Sequence, residues 1–118
     1  MLDFFIANGG NVGIGTSSPQ KPLHVNSGTG NIGVRVESSD ATASIEFMDS
    51  GTTSTATSAR IGGISNDFFV QTSGLERMRI SSDGSVGIGT SSPTSRLTVA
   101  SGTDSTNHLL QYLNRWSS

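Results

Sequence analysis

The sequence predicts an all-β protein that is built from short repeated strands and whose core is shared between identical chains. Three observations favour this fold class. Apolar residues recur at every second position in short stretches, a ten-residue segment occurs twice, and only 32% of the 118 residues are hydrophobic. The alternation indicates strands, and the duplication indicates a repeat architecture. The scarcity of apolar residues indicates that one chain cannot complete its own core.

An internal repeat organises the chain. Residues 10–19 (GNVGIGTSSP) return at residues 84–93 (GSVGIGTSSP) with one substitution in ten positions. The same shift of 74 positions aligns the Leu-x-Val triplet at residues 23–25 with a second Leu-x-Val triplet downstream. The sequence therefore predicts a first repeat unit at residues 1–74 and a partial second unit at residues 75–118.

Short stretches of alternating apolar residues predict the strands in order along the chain. Each stretch is bounded by Gly, Asn, Asp, Ser or Pro, which are typical of turns. The predicted strand residues are Leu2, Phe4 and Ile6; Leu23 and Val25; Ile32, Val34 and Val36; Ile45 and Phe47; and Met78 and Ile80. Residues 50–58 are rich in Ser and Thr without any period, and we expect them to form a loop.

Two dipeptides predict tight turns between strands. Asn8-Gly9 and Asp83-Gly84 readily supply the positive φ that a tight turn requires. Residues 75–80 are therefore predicted to pair, through the second of these turns, with residues 86–88.

The repeated segment carries the residues that we expect to have structural roles. Two glycines in each copy remove Cβ from one face of a very short strand, which permits another backbone to approach closely. The proline that follows holds the preceding serine extended and argues against a helix. Such a segment suits a crowded three-fold axis. The candidate turn and axis residues are Gly13, Gly15, Pro19, Gly87, Gly89 and Pro93.

Six apolar strand residues are predicted to lie in a core that neighbouring chains complete. They are Phe4, Ile6, Ile45, Phe47, Met78 and Ile80. Residues 107–116 fit two structures. The spacing of Leu109, Leu113 and Trp116 suits a short coiled coil, whereas the repeat aligns this segment with the predicted strand near residues 34–38. The repeat register favours a strand, and both alternatives stay open at this point.

Composition excludes several classes of function. Ser, Thr and Gly together occupy 49 positions, so one chain has little apolar surface to set against its loss of conformational entropy. The net charge of -2 and the supply of Val, Ile, Phe and Thr argue against disorder and favour an oligomer. The chain has no Lys/Arg run for nucleic acid and no apolar run long enough to span a membrane. Without cysteine it has neither disulfides nor thiolate metal sites.

These residues resemble a repeat of phage tail fibres and related virion fibre proteins. The matching segments are residues 76–80, 81–84, 86–93 and 97–99, with residues 45–51 and 61–64 in the interior. The resemblance covers nearly the whole chain and implies a homotrimeric, β-rich shaft or spacer. It further implies other virion structural proteins, and a host surface glycan or protein, as partners. The implied location is the virion, in a tail fibre or on the capsid surface.

Glycine-rich residues 13–18 look in part like a dinucleotide-binding fingerprint. That fingerprint needs a helix directly after the glycines, so that a pyrophosphate meets the helix N-terminus. Here Pro19 and a Leu-x-Val strand follow instead. We therefore expect no nucleotide binding and no cofactor.

The histidines and arginines offer weak candidates for chemistry. His24 aligns with Thr98 of the second copy, so we expect an outward strand residue and not a catalytic base. His108 would bring three imidazoles together on a three-fold axis and could hold a metal, although a plain surface histidine is favoured. Arg77 and Arg79 are expected to form an outward charged rung that pairs with Glu76 of a neighbouring chain.

Four acids in the middle of the chain suggest a comparison with glycosidases, which use paired carboxylates. These acids are Asp40, Glu46, Asp49 and Asp67. Their positions on a solvated strand face or beside turns favour an ordinary surface role. The sequence therefore predicts a non-enzymatic structural element of a virion fibre that supports host attachment. The alternatives are a capsid decoration or head-fibre protein and, less favoured, a fragment of a polysaccharide depolymerase.

Overall fold

The computed structural model describes residues 3–100, and these residues form nine β-strands and no helix. The all-β prediction is confirmed. The strands are β1 Phe4–Ile6, β2 Val12–Ile14, β3 Leu23–Val25, β4 Thr42–Phe47, β5 Ala59–Ile64, β6 Asp67–Thr72, β7 Leu75–Ile80, β8 Val86–Ile88 and β9 Leu97–Val99. Two compact units divide between Glu37 and Ser38. The predicted alternatives for residues 107–116, together with Leu2 and His108, lie outside the described residues.

The first unit contains a three-stranded sheet in the order β1-β2-β3. Strands β1 and β2 are antiparallel, with Phe5 opposite Gly13. Strands β2 and β3 are parallel, with Gly13 opposite His24. The connection between these parallel strands, residues 15–22, contains Pro19 and no helix. The expectation that the proline excludes a helix at this place is confirmed.

The second unit contains a six-stranded sheet in the simple order β4-β5-β6-β7-β8-β9. Neighbouring strands are antiparallel from β4 to β8, and β8 and β9 are parallel. The predicted pairing of residues 75–80 with residues 86–88 is confirmed, with Arg79 opposite Gly87. Residues 50–58 form no strand, as expected for a loop.

The last three strands of the second unit pair in the same way as the three strands of the first. Val12 lies opposite Leu23 in the first sheet, and Val86 lies opposite Leu97 in the second. The hairpin turns also correspond, because Gly10 and Gly84 both have a positive φ, 81° and 85°. In each turn this glycine donates to a carbonyl three residues earlier, on Ala7 and Ser81. Both predicted turns are present, but the positive φ belongs to the glycine at the end of each loop.

Strands β5 and β6 were not predicted from the sequence. Strand β5 has Gly62-Gly63 at its centre, and β6 opens with consecutive phenylalanines, so neither shows clear alternation. The turns at both ends of β6 place Ser65 and Ser73 at positive φ, 53° and 51°. Serine rarely adopts this conformation, so neither turn was expected. The predicted repeat boundary falls in the second turn, and the division into repeat units stays a prediction.

The strand predicted at Ile32, Val34 and Val36 is absent. Residues 32–38 have no regular secondary structure. A strand needs a partner for its backbone N–H and C=O groups, and no segment within residues 3–100 supplies one. The apolar alternation is real, but alternation alone does not bring a second strand alongside.

Candidate functional site: the apolar sheet faces

The six-stranded sheet has one face that is apolar across all six strands. Residues paired across neighbouring strands project to the same face of a sheet, so the registers define continuous rows. The first row is Ile45, Ile61, Val70, Met78, Ile88 and Val99. The second row, two residues along each strand, is Ala43, Gly63, Phe68, Ile80, Val86 and Leu97. We call these twelve residues the apolar face.

Nothing among the described residues of the second unit covers the apolar face. None of its twelve residues is buried, and Ile45, Phe68, Ile88 and Leu97 are 42–53% exposed. The face spans five strand spacings, about 24 Å at about 4.8 Å each. Soluble monomers rarely leave a continuous apolar patch of this kind in water, and such patches usually mark contact surfaces.

The three-stranded sheet repeats this arrangement on a smaller scale. Its two apolar rows are Phe4, Ile14 and Val25, and Ile6, Val12 and Leu23. The side chains of Phe4, Ile6 and Leu23 are about 60% exposed. Each sheet therefore has an apolar face that the described residues of its own unit leave open.

The opposite face of the six-stranded sheet, called here the polar face, is held together within the chain. Phe69 lies on this face and is the one buried hydrophobic residue among residues 3–100, at 7% exposure. Beside it, Arg79 binds Glu76 through two nitrogens, and its Nη1 donates to Asp67 Oδ2 at 2.9 Å. Asp67 Oδ1 also accepts from the backbone N–H of Ser82. These carboxylates raise the pKa of the Arg79 guanidinium, which keeps its charge.

A β-bulge places Glu76 on the polar face. The register between β6 and β7 shifts between Val70 and Gln71, so that Met78 pairs with Val70 and Glu76 pairs with Gln71. Arg77 is the unpaired residue, and its Nε donates to the hydroxyl of Thr72. Within the chain the bulge turns Glu76 towards Arg79, and the expected pairing of the arginines with Glu76 of a neighbouring chain stays a prediction.

A second polar cluster ties the loop at residues 50–58 to the sheet. Glu46 Oε1 accepts from the Ser58 hydroxyl and from Arg60, whose Nη2 lies 3.0 Å away. Arg60 also donates to the carbonyl of Thr55. The Ser58 and Arg60 hydrogen bonds lower the pKa of Glu46. Because Ser58 is only 2% exposed, the end of this loop is fixed to β4 and β5.

We expect acid to weaken the polar face. The hydrogen bond from Arg79 lowers the pKa of Asp67 below its ordinary 3.8. A lowered folded-state pKa means that this stabilisation is complete above 3.8 and is lost as the pH falls through the folded-state value. When the unfolding free energy is measured from pH 7 to pH 2, it should decrease below pH 3.8. The decrease should be smaller for Asp67→Asn. Asp40→Asn, at a site bonded only to its own turn, should leave the profile unchanged; equal flattening would contradict the assignment.

The structure brings the six predicted core residues onto apolar faces. Phe4 and Ile6 lie in the three-stranded sheet, and Ile45, Met78 and Ile80 lie in the apolar face of the six-stranded sheet. Phe47 extends that face by one position along β4 and is 53% exposed. The prediction missed most of the face, including Ile61, Val70, Ile88 and Val99. Alternation inside β8 and β9, Val86/Ile88 and Leu97/Val99, would have found half of these.

The glycines of the repeated segment accommodate the chain's own carbonyl groups. A Cβ on Gly13 or Gly87 would lie 2.2 or 2.4 Å from the carbonyl oxygen three residues ahead, on Thr16 or Thr90. Gly15 and Gly89 also have positive φ, 71° and 74°. The close approach of a backbone is therefore found, but within one chain. The three-fold axis remains a prediction for these glycines and for Pro19 and Pro93, which are half-buried in the loops that follow.

His24 lies in β3 as a half-buried strand residue on the face opposite the apolar rows. Its Nδ1 accepts from the backbone N–H of Gln20 at 3.4 Å. Thr98, the equivalent residue of the second copy, accepts with its hydroxyl from the backbone N–H of Thr94 and Ser95. The two side chains thus close the same loop in both copies, which is a structural task.

Residues 3–100 contain no cluster of His, Asp and Glu that could hold a metal ion. They also contain no helix long and apolar enough to span a membrane. What these residues define is an all-β protein with two sheets, each with an exposed apolar face, of which the six-stranded sheet also has a polar face. No protein-family model matches the chain, and no curated protein sequence is similar to it.

Proposed function

We propose that this protein is a structural element of a virion fibre, a shaft or spacer that folds as a homotrimer and supports host attachment by multivalent display. The observation that carries the proposal is the uncovered apolar face. A sheet with one apolar and one polar face is stable when the apolar face packs on another layer. The described residues of each unit provide no such layer for their own sheet, and three copies of the chain would provide it for one another.

Three sheets with their apolar faces turned inward make a triangular prism with polar outer walls. Each wall would carry the Arg79 and Arg60 clusters on its outer side, where these charges, already paired within the chain, would stay outside the shared core. Closed cyclic symmetry uses the same surface on every copy. Three copies of any outer contact also raise the avidity for a host surface without a tight single site. The resemblance of the repeated segment to virion fibre repeats supports the same assembly.

The carboxylates support a non-enzymatic role. A glycosidase needs one acid with a raised pKa beside a second, ionised acid. Here hydrogen bonds lower the pKa values of Glu46, Asp49, Asp67 and Asp83. Arg60 and Arg79 bind two of these acids, and the other two accept from backbone N–H groups of their own turns. These acids stabilise turns and strands, and we propose that the chain has no catalytic activity.

The mass of the chain in solution tests the proposal most directly. We expect light scattering to give three times the chain mass of 12.2 kDa. The species should resist detergent on an unboiled gel and dissociate on boiling, and its unfolding temperature should rise with protein concentration. A folded monomer whose unfolding temperature is independent of concentration would overturn the shared core. Release of reducing sugar from host capsule would overturn the non-enzymatic role, and immunolabelling on virions would distinguish a tail fibre from a capsid decoration.

A further inference from the structure

Residues 32–36 carry a second apolar surface, outside both sheets. Ile32, Val34 and Val36 are 77%, 60% and 47% exposed. No backbone hydrogen bond within residues 3–100 involves residues 32–37. Three β-branched side chains at alternate positions form a stripe on one side of an extended chain. This stripe has the pattern of a buried strand, and no residue of the described part of the chain pairs with it.

Two charged side chains beside the stripe make the segment complementary to copies of itself. Arg35 Nη1 and Glu37 Oε2 are 3.9 Å apart, and these side chains are 80% and 77% exposed. An exposed pair of this kind contributes little within one chain. Residues two apart in an extended chain are about 7 Å apart, a distance that long side chains span. In parallel copies lying side by side, each Arg35 therefore also reaches the Glu37 of a neighbour.

We propose that residues 32–37 form an inter-chain strut, in which three parallel copies pack Ile32, Val34 and Val36 around a common three-fold axis. The partners of the stripe are the two other copies of this chain, and Arg35 and Glu37 link neighbouring copies on the outside. The strut rests on the proposed homotrimer. It is nevertheless a separate contact, because residues 32–37 lie outside both apolar sheet faces.

Cross-linking tests the strut. Because the chain has no cysteine, an introduced thiol can form a disulfide only with the same thiol of another copy. Thiols of Val34→Cys would meet at the axis within disulfide reach. Three thiols form one disulfide, so about two thirds of the chains should run as linked dimers after oxidation. Ser39→Cys, an exposed neighbour outside the stripe, is the matched control and should stay unlinked. A trimer in which both variants cross-link equally would overturn the strut alone, whereas a monomer would overturn the trimer as well.

A charge exchange tests the ion pairs between chains. Arg35→Glu gives every copy two acids, and Glu37→Arg gives every copy two arginines, so each variant alone should assemble less well than the original chain. Refolded together in equal amounts, they should form mixed trimers more often than the roughly three quarters expected at random. Ion-exchange chromatography separates these species by charge. Random mixing, or full assembly of each variant alone, would contradict pairing between copies.

Discussion

Met78→Asp is expected to prevent assembly of the chain and to unfold it at room temperature. Met78 lies in the first row of the apolar face, between Val70 and Ile88. In a homotrimer the substitution would put three carboxylates into one shared core, and burying an unpaired charge costs several kcal/mol each time. In a monomer the same residue is only half-buried, and the cost would be about 1 kcal/mol or less.

Light scattering and urea unfolding at fixed chain concentration measure the effect. Met78→Leu keeps the position apolar and should assemble normally, because volume-conserving apolar exchanges cost less than about 1.5 kcal/mol. Thr42→Asp introduces the same acid on the polar side of β4, at an exposed position, and should also assemble. If Met78→Asp remains as stable as Thr42→Asp, the apolar face is not a buried surface and the proposed assembly is wrong.

Gly62→Ala is expected to destabilise the six-stranded sheet far more than Gly63→Ala, although the two glycines are neighbours in β5. A Cβ on Gly62 would lie 2.2 Å from the backbone oxygen of Ala43, a contact that only a shift of β4 can relieve. The nearest atom to a Cβ on Gly63 is the backbone oxygen of Asp67 at 3.8 Å, an ordinary contact. We expect a loss of about 1–3 kcal/mol for Gly62→Ala, as for other overpacked sites.

Chemical unfolding of the two alanine variants, at equal chain concentration, provides the comparison. Gly63→Ala should change the unfolding free energy by about 0.5 kcal/mol or less, or stabilise it slightly, because alanine restricts the unfolded chain. Gly63→Ala is the matched control for Gly62→Ala, because it adds the same methyl group to the same strand. Equal losses for both variants would mean that β4 does not lie against β5 as described.

Alternation in the sequence predicted some residues of the apolar sheet faces but not how many residues these faces contain. Phe4, Ile6, Met78 and Ile80 were predicted because each pair stands two positions apart in a short apolar stretch. Phe68 and Val70 show the same spacing, but adjacent Phe69 obscures it and projects to the polar face. Alternation predicts which residues of a strand lie on the same face. It does not predict which residue of the neighbouring strand lies opposite each of them.

The polar clusters could not be predicted, because they depend on a bulge and on the register between neighbouring strands. The chain separates Asp67 from Arg79 by two strands' length and one turn, and only the antiparallel register of β6 and β7 brings them to 2.9 Å. Glu76 should alternate with Arg79 and project to the other face. The one-residue shift at the bulge places Glu76 on the same face as Arg79, and no residue type in this segment predicts the bulge.

The sequence by itself determined that the fold is all-β, that its strands are short, that Asn8-Gly9 and Asp83-Gly84 lie in turns between strands, and that a single chain has few residues to bury. These properties follow from local spacing and composition, which act within a few residues. Only the tertiary structure decided that six strands line up their apolar residues in two continuous rows, that Phe69 packs on the opposite face, and that residues 32–37 find no partner strand within the described chain. Register arises from backbone hydrogen bonds between each strand and the next, and the spacing of residues within one strand does not encode it.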